Sequence, residues 1–193
     1  MSVGRQAALD GLLAEIRAEF PAFRIVAKDG DRLSGLIDKA LKLVTLGGQS
    51  QYLTHYHTVL GDTLYVPSGW EQTPPVRKMI LLRHERVHLR QRRRYGGVLM
   101  ALLYVLPLLP MGAAYGRARI EWEAYQETIR ATAELEGIEA AKSPALRAHV
   151  VRQFTSAAYG WMWPFPSAVN KWYEKALQAI VAEARETRPE VQG

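Results

Sequence analysis

The chain is organised around the segment Leu81–Gln91, which has the sequence LLRHERVHLRQ and contains the pattern H-E-x-x-H. Residues four apart lie on the same face of an α-helix, so the imidazole rings of His84 and His88 can both point at one tetrahedral cation. Glu85 is one residue further round the helix, where its carboxylate can reach a water at an open position of that cation. The spacing therefore predicts a metal site with His84 and His88 as ligands and Glu85 as general base.

The residues around this segment predict a helix from Val76 to Arg94. Pro74-Pro75 suits its first turn, because proline fixes φ and lacks the N–H that a first turn leaves unbonded, and Gly96-Gly97 suits its end. The alternative is a surface helix whose histidines fall four apart by chance beside many arginines. Apolar residues at helical spacing supply the faces to be buried: Val76, Met79, Ile80, Leu82, Val87 and Leu89.

The length of 193 residues is sufficient for one domain with its own hydrophobic core. We expect a single α+β, mostly helical domain over 1–193, with N-terminal helices and a short strand in 1–50. A small β-hairpin, the motif helix, an apolar segment and a glutamate-bearing helix follow in 51–136, and further helices in 137–193.

The sequence contains no cysteine. This excludes disulfides and thiolate ligands, so a metal ion must be held by His, Asp or Glu. The lack of disulfides favours a reducing cytoplasm, and Met1 to Asp10 has no apolar core of a secretory signal. We therefore expect a cytoplasmic protein, with association at a membrane surface as the open alternative.

Positive charge is concentrated around the motif. The net charge is +6, and eight of the 25 Lys and Arg fall between Arg77 and Arg94. No recognised nucleic-acid-binding pattern accompanies them, so we expect no nucleic-acid partner. The simpler interpretation is a solvated basic face that favours acidic substrates or anionic lipid headgroups.

A β-hairpin is predicted immediately before the motif helix. Residues 52–60 and 63–66 are rich in β-branched and aromatic side chains and are separated by Gly61-Asp62, a turn signal. His55 and His57 are two apart on the first strand and so share one face. They either contact metal or substrate, or are cross-strand partners or surface residues.

Other elements follow from local patterns. Apolar spacing predicts helices over 7–20 and 33–44, with a short strand over 23–27 between them. In the C-terminal part, Ser143 suits the N-cap of a helix that runs to Tyr159, and Ser167 the N-cap of a last helix. The aromatic segment between these two helices predicts a loop packed on the core.

The segment from Gly96 to Gly116 is strongly apolar and approaches the length of a membrane span. Pro107 and Pro110 are incompatible with one straight helix. A spanning helix would also place the motif histidines and any downstream ligand on opposite sides of a layer roughly 30 Å thick. We therefore predict a returning, hairpin-like segment that packs in the core or dips into a membrane surface, with Arg90–Arg94 near the lipid headgroups.

A catalytic zinc site needs a third protein ligand and an open position. The extended motif H-E-x-x-H-x-x-G-x-x-H is not present, because Gln91 stands at its glycine position and Arg94 at its histidine position. The obvious alternative is a carboxylate on a later helix, from the cluster Glu121, Glu123 and Glu127. Glu123 is about 200° round the helix from Glu121, so the two face opposite ways and geometry alone leaves the choice open.

The two patterns together resemble the gluzincin metallopeptidases, in which H-E-x-x-H is followed by a glutamate ligand on a later helix, often within E-x-x-A. Glu121–Tyr125 reads EWEAY and matches that pattern. The resemblance covers 52–127 and implies a zincin-like fold and a zinc cofactor, with Glu121 as the third ligand. Tyr125 stands where an aspartate that steadies a motif histidine is frequent, which implies a role in the catalytic site for its hydroxyl.

The function implied by this resemblance is a zinc-dependent peptidase acting on peptides or a protein. Zinc would polarise the scissile carbonyl, Glu85 would take a proton from water and pass it to the leaving amine, and a further donor would hold the oxyanion. Two alternatives remain open: a membrane-associated peptidase of the prenyl-protease type, and a non-catalytic, metal-stabilised scaffold. By residue type, the oxyanion donor can be Tyr125, Tyr159, His149, His55 or His57.

Overall fold

The computed structural model describes residues 2–27, 58–100, 112–156 and 162–186. The chain divides into two compact units, Met1–Gly97 and Val98–Gly193. Most described residues are helical and the remaining regular structure is one small sheet, so the predicted mostly helical α+β class is confirmed. Several predictions fall outside the described residues: the helix over 33–44, the first part of the hairpin with His55 and His57, the turn at Pro107–Pro110, and Tyr159.

The sheet of the first unit consists of β1 (Arg24–Ala27), β2 (Thr58–Leu60) and β3 (Thr63–Val66) in the order β1-β3-β2. β2 and β3 form the predicted antiparallel hairpin. Gly61 in its turn has a φ of 64°, which glycine adopts at little cost. β1 pairs with β3 in parallel, so β3 is the central strand and all four of its residues are buried.

Two helices, α1 (Ser2–Glu19) and α2 (Pro75–Tyr95), complete the described part of the first unit and contact each other. α2 carries the motif, and each of its ends lies one residue beyond the predicted range of Val76 to Arg94. Pro75 lies in its first turn, and Gly96 follows its last residue with a φ of 82° and an N–H that donates to the Arg92 carbonyl at 2.8 Å. The core of this unit comes from both helices and β3: Leu9, Ile16, Phe20, Leu64, Val66, Met79, Leu82 and Leu89.

The described part of the second unit contains α3 (Gly112–Leu135), α4 (Ile138–Ala141), α5 (Pro144–Thr155) and α6 (Pro166–Glu186). Ser143 caps α5 as predicted, because its hydroxyl accepts from the Leu146 N–H at 3.2 Å.

Two helix ends in the second unit differ from the predictions. α5 ends at Thr155 and not at Tyr159, since Ser156 takes an extended conformation with φ −91° and ψ 157°. α6 begins at Pro166, so Ser167 lies in its first turn and is not the N-cap. The fixed φ of Pro166 suits the first helical position, and this signal prevails over the capping preference of the serine that follows.

Aromatic rings dominate the core of the second unit. Phe154 is fully buried, and its ring meets those of Trp122, Tyr125 and Trp172 at centroid distances of 6.1, 5.6 and 6.2 Å. Trp163, in the aromatic loop after α5, stacks on Trp172 at 5.9 Å, which confirms that this loop packs on the core. Other buried members of the same cluster are Ala118, Ile129, Val150, Met162, Val169 and Tyr173.

Candidate metal centre

His84 and His88 converge on one side of α2. Their Nε2 atoms are 3.2 Å apart, and the ring planes meet at 74° with centroids 4.9 Å apart. Two nitrogen ligands, each about 2.0–2.1 Å from a tetrahedral zinc ion, would lie roughly 3.4 Å from one another. The observed separation therefore fits two ligands of a single cation, as the spacing in the sequence predicted.

Gln91 supports His88 on the other edge of its ring. The Gln91 Oε1 atom lies 3.0 Å from Nδ1 of His88, and Gln91 is 4% exposed. A carboxamide oxygen can only accept, so Nδ1 of His88 donates, and in the neutral ring Nε2 carries the lone pair.

Sequence reasoning missed this contact. From the sequence, Gln91 was considered only as the residue at the glycine position of the extended motif. The signal that could have found it is its spacing of three from His88, which places the two side chains on neighbouring positions of one helix face.

Glu85 follows His84 directly on α2 and is 8% exposed. Glutamate is rarely buried to this extent. A shielded carboxylate next to a candidate ligand is the arrangement expected of a general base, because bulk water does not compete for its proton transfer.

An ion-pair cluster fixes α2 against α1. Glu19, at the end of α1, accepts hydrogen bonds from Arg90 Nε at 2.6 Å and from Arg86 Nε at 2.7 Å. The hydrogen bond from Arg90, and after it that from Arg86, lower the pKa of Glu19 to about 2, despite the opposing effect of burial. The helix that carries the motif is therefore held by charges as well as by its apolar face.

Other basic residues of α2 are engaged in the same unit. Arg92 pairs with Asp62 in the hairpin turn at 2.9 Å, and the largely buried Lys78 places its ammonium 5.2 Å from the centroid of the Trp70 ring. The prediction of a solvated basic face is wrong for Lys78, which is buried beside Trp70, whereas Arg92 pairs with Asp62 but keeps 39% of its side chain exposed. The prediction holds for Arg93–Arg94, which are exposed.

The candidate third ligand is on α3, where Glu121, Glu123 and Glu127 are all half-buried. Within the described residues, His84, His88 and Glu121 form a group that could hold a metal ion, since one ligand atom of each lies within 4.8 Å of the other two. Glu123 and Glu127 are not part of this group. The grouping therefore favours the glutamate that occupies the ligand position of the E-x-x-A pattern.

The remaining predicted residues lie as follows. Tyr125 is 9% exposed in the aromatic core of the second unit, with its ring edge-on to Phe154. His149 is exposed on α5, and Nε2 of Gln153 is 3.4 Å and 3.5 Å from its two ring nitrogens. His55, His57 and Tyr159 lie outside the described residues.

Comparison with known proteins finds no match for this chain, whether among protein families, curated proteins or solved structures. The function must therefore be argued from the site.

None of the helices in the described ranges is both long and apolar enough to cross a membrane.

Proposed function

We propose that the protein is a zinc-dependent peptidase of gluzincin type, in which His84, His88 and Glu121 hold the ion and Glu85 is the general base. The observation that carries the proposal is the grouping of one ligand atom from each of the three side chains within 4.8 Å. The 3.2 Å separation of the two Nε2 atoms supports it, because it matches a pair of ligands on a tetrahedral cation.

The donor set supports an enzyme over a scaffold. Two imidazole nitrogens and one carboxylate oxygen are the usual ligands of a catalytic zinc, which keeps a fourth position open, whereas structural zinc sites are closed by four protein ligands. The absence of cysteine removes the thiolates on which most structural sites depend.

The ion and Glu85 have different roles in the proposed reaction. When bound, zinc supplies a Lewis acid that polarises a peptide carbonyl and eases the deprotonation of water. Glu85 takes the proton from the attacking water and returns it to the leaving amine. Its burial keeps bulk water away from that transfer. The hydroxyl of Tyr125 is proposed to act in the catalytic site, at the position where an aspartate often steadies a motif histidine. The proposed substrates are peptides or proteins, and the proposed location of the enzyme is the cytoplasm.

A second candidate is a peptidase that works at a membrane surface. Val98 is 78% exposed and Leu99 is 45% exposed, and they come four and five residues after Arg94 in the sequence. Exposed apolar side chains next to arginines suit the boundary between anionic headgroups and acyl chains. Binding to phosphatidylserine vesicles at low salt, lost in a Val98→Ser/Leu99→Ser double variant, would favour this candidate.

The proposal is tested by metal content and turnover in matched variants. Wild-type protein should bind about one zinc, Glu121→Gln should lose most of it, and Glu123→Gln, on the same helix, should retain it. Glu85→Gln should keep zinc but lose hydrolysis of a peptide library. A wild-type protein without zinc affinity, or a Glu85→Gln variant with undiminished turnover, would refute the proposed mechanism.

A further inference from the structure

We propose that Gln91 is a positioning residue that holds His88 in the Nδ1–H tautomer and so presents its Nε2 lone pair to the cation. This inference rests on the proposed zinc site and extends it to a residue outside the ligand set. Its basis is the 3.0 Å contact between Gln91 Oε1 and His88 Nδ1, together with the burial of Gln91.

The tautomer follows from the chemistry of the two groups. A neutral imidazole has one N–H and one lone pair, and a metal binds only the lone pair. The hydrogen bond at one ring nitrogen decides which tautomer is present and thereby which nitrogen the metal takes. Gln91 Oε1 accepts at Nδ1, so the lone pair of His88 is at Nε2, the atom 3.2 Å from Nε2 of His84.

Burial makes this control effective. Gln91 is 4% exposed, so water has little access to compete for its carbonyl oxygen. Both side chains are on α2, three residues apart, so the helix places them on neighbouring positions of one face. Outer hydrogen-bond partners of this kind orient a ligand ring and raise its basicity.

The test compares three variants in zinc affinity, measured by competition with a chelator of known affinity. Gln91→Leu removes the acceptor and should weaken zinc binding by roughly 10–100-fold, the usual effect of removing an outer partner. Gln91→Glu keeps an oxygen acceptor and should restore most of the affinity. Gln153→Leu is the matched control, because Gln153 is also a buried glutamine in contact with a histidine; it should leave the affinity unchanged.

A second readout reports on the tautomer itself. Imidazole ¹⁵N chemical shifts of the chelator-treated wild type should identify His88 as the Nδ1–H form, and Gln91→Leu should lose this fixed form. An Nε2–H form for His88 in the wild type would overturn the inference even if Gln91→Leu fails to fold. Tight zinc binding that is unaffected by Gln91→Leu would overturn it and leave the zinc site standing, whereas a wild type that binds no zinc refutes the site and not the tautomer.

Discussion

α2 and α5 each place a histidine beside a buried glutamine, yet only one of these pairs forms a candidate ligand. In α2, Gln91 contacts a single ring nitrogen of His88 at 3.0 Å, and the other ring nitrogen meets His84. In α5, Nε2 of Gln153 lies almost equally far from both ring nitrogens of His149, so it selects neither. The two pairs differ in spacing, three residues in α2 and four in α5. The comparison indicates that a buried glutamine beside a histidine does not make it a ligand unless the glutamine fixes one ring nitrogen and the other ring nitrogen faces a second ligand.

The two helices also differ in what holds them. α2 combines a buried apolar face with charged partners in its unit, chiefly Glu19 with Arg86 and Arg90. α5 has the more exposed pair Arg147–Glu174 and is held chiefly by apolar packing, since the buried ring of Phe154 meets three other aromatic rings. Ionic contacts change with pH and salt, whereas apolar burial largely does not. The stability of the first unit should therefore respond to acid more strongly than that of the second.

The largest contrast is expected for metal binding. His88→Ala removes one of three proposed ligands and should reduce bound zinc from about one per chain to less than roughly a tenth. His149→Ala is the matched control on α5 and should leave the zinc content unchanged. Elemental analysis of both purified variants gives the zinc content per chain, and circular dichroism checks that their helical content is unchanged. Equal zinc in the two variants would contradict the distinction drawn between the two glutamine–histidine pairs.

The next largest effect concerns α5. Phe154→Ala should lower the free energy of unfolding by about 3–5 kcal/mol, because it removes a fully buried ring and leaves a cavity among its aromatic neighbours. Phe165→Ala, at a position 42% exposed in the same unit, should cost much less. Urea unfolding of both variants gives the comparison. Similar losses in the two would mean that Phe154 is not central to this core.

The smallest effect concerns the charges that hold α2. Glu19→Gln should lower the free energy of unfolding by on the order of 1–2 kcal/mol at neutral pH, after allowance for partial exposure. Glu15→Gln is the control, because Glu15 is exposed and pairs with Arg86 at 3.0 Å. This variant should lower the free energy of unfolding by no more than about 0.5 kcal/mol.

The pH dependence of this effect has a defined sign. The pKa of Glu19 is lowered from its ordinary value of 4.5 to about 2 in the folded protein. The stability that Glu19 contributes is therefore present above pH 4.5 and is lost as the pH falls towards 2. Wild type and Glu19→Gln should converge in stability over that range, as measured by urea unfolding at pH 7 and pH 3. A constant difference between them would show that the ion pairs contribute nothing.

Much of the first unit could be predicted because its signals are local. Pro74-Pro75 and Gly96 specify the ends of α2, and Gly61-Asp62 specifies the hairpin turn, since each acts on the backbone of its immediate neighbours. The start of α1 at Ser2 was not predicted from the sequence, which indicated a helix from residue 7. Its residues from Val3 to Ala8 are exposed, and an exposed segment has no apolar periodicity to reveal where a helix begins.

The sequence by itself determined that His84 and His88 share a face of one helix and that Glu85 lies beside them, because helical geometry fixes those relations within about one turn. The tertiary structure decided which acidic residues pair with Arg86, Arg90 and Arg92, and which of the three glutamates brings an oxygen near the histidines. Those outcomes depend on packing between segments far apart in the chain, and residues distant in sequence carry no local signal of the partners that folding gives them.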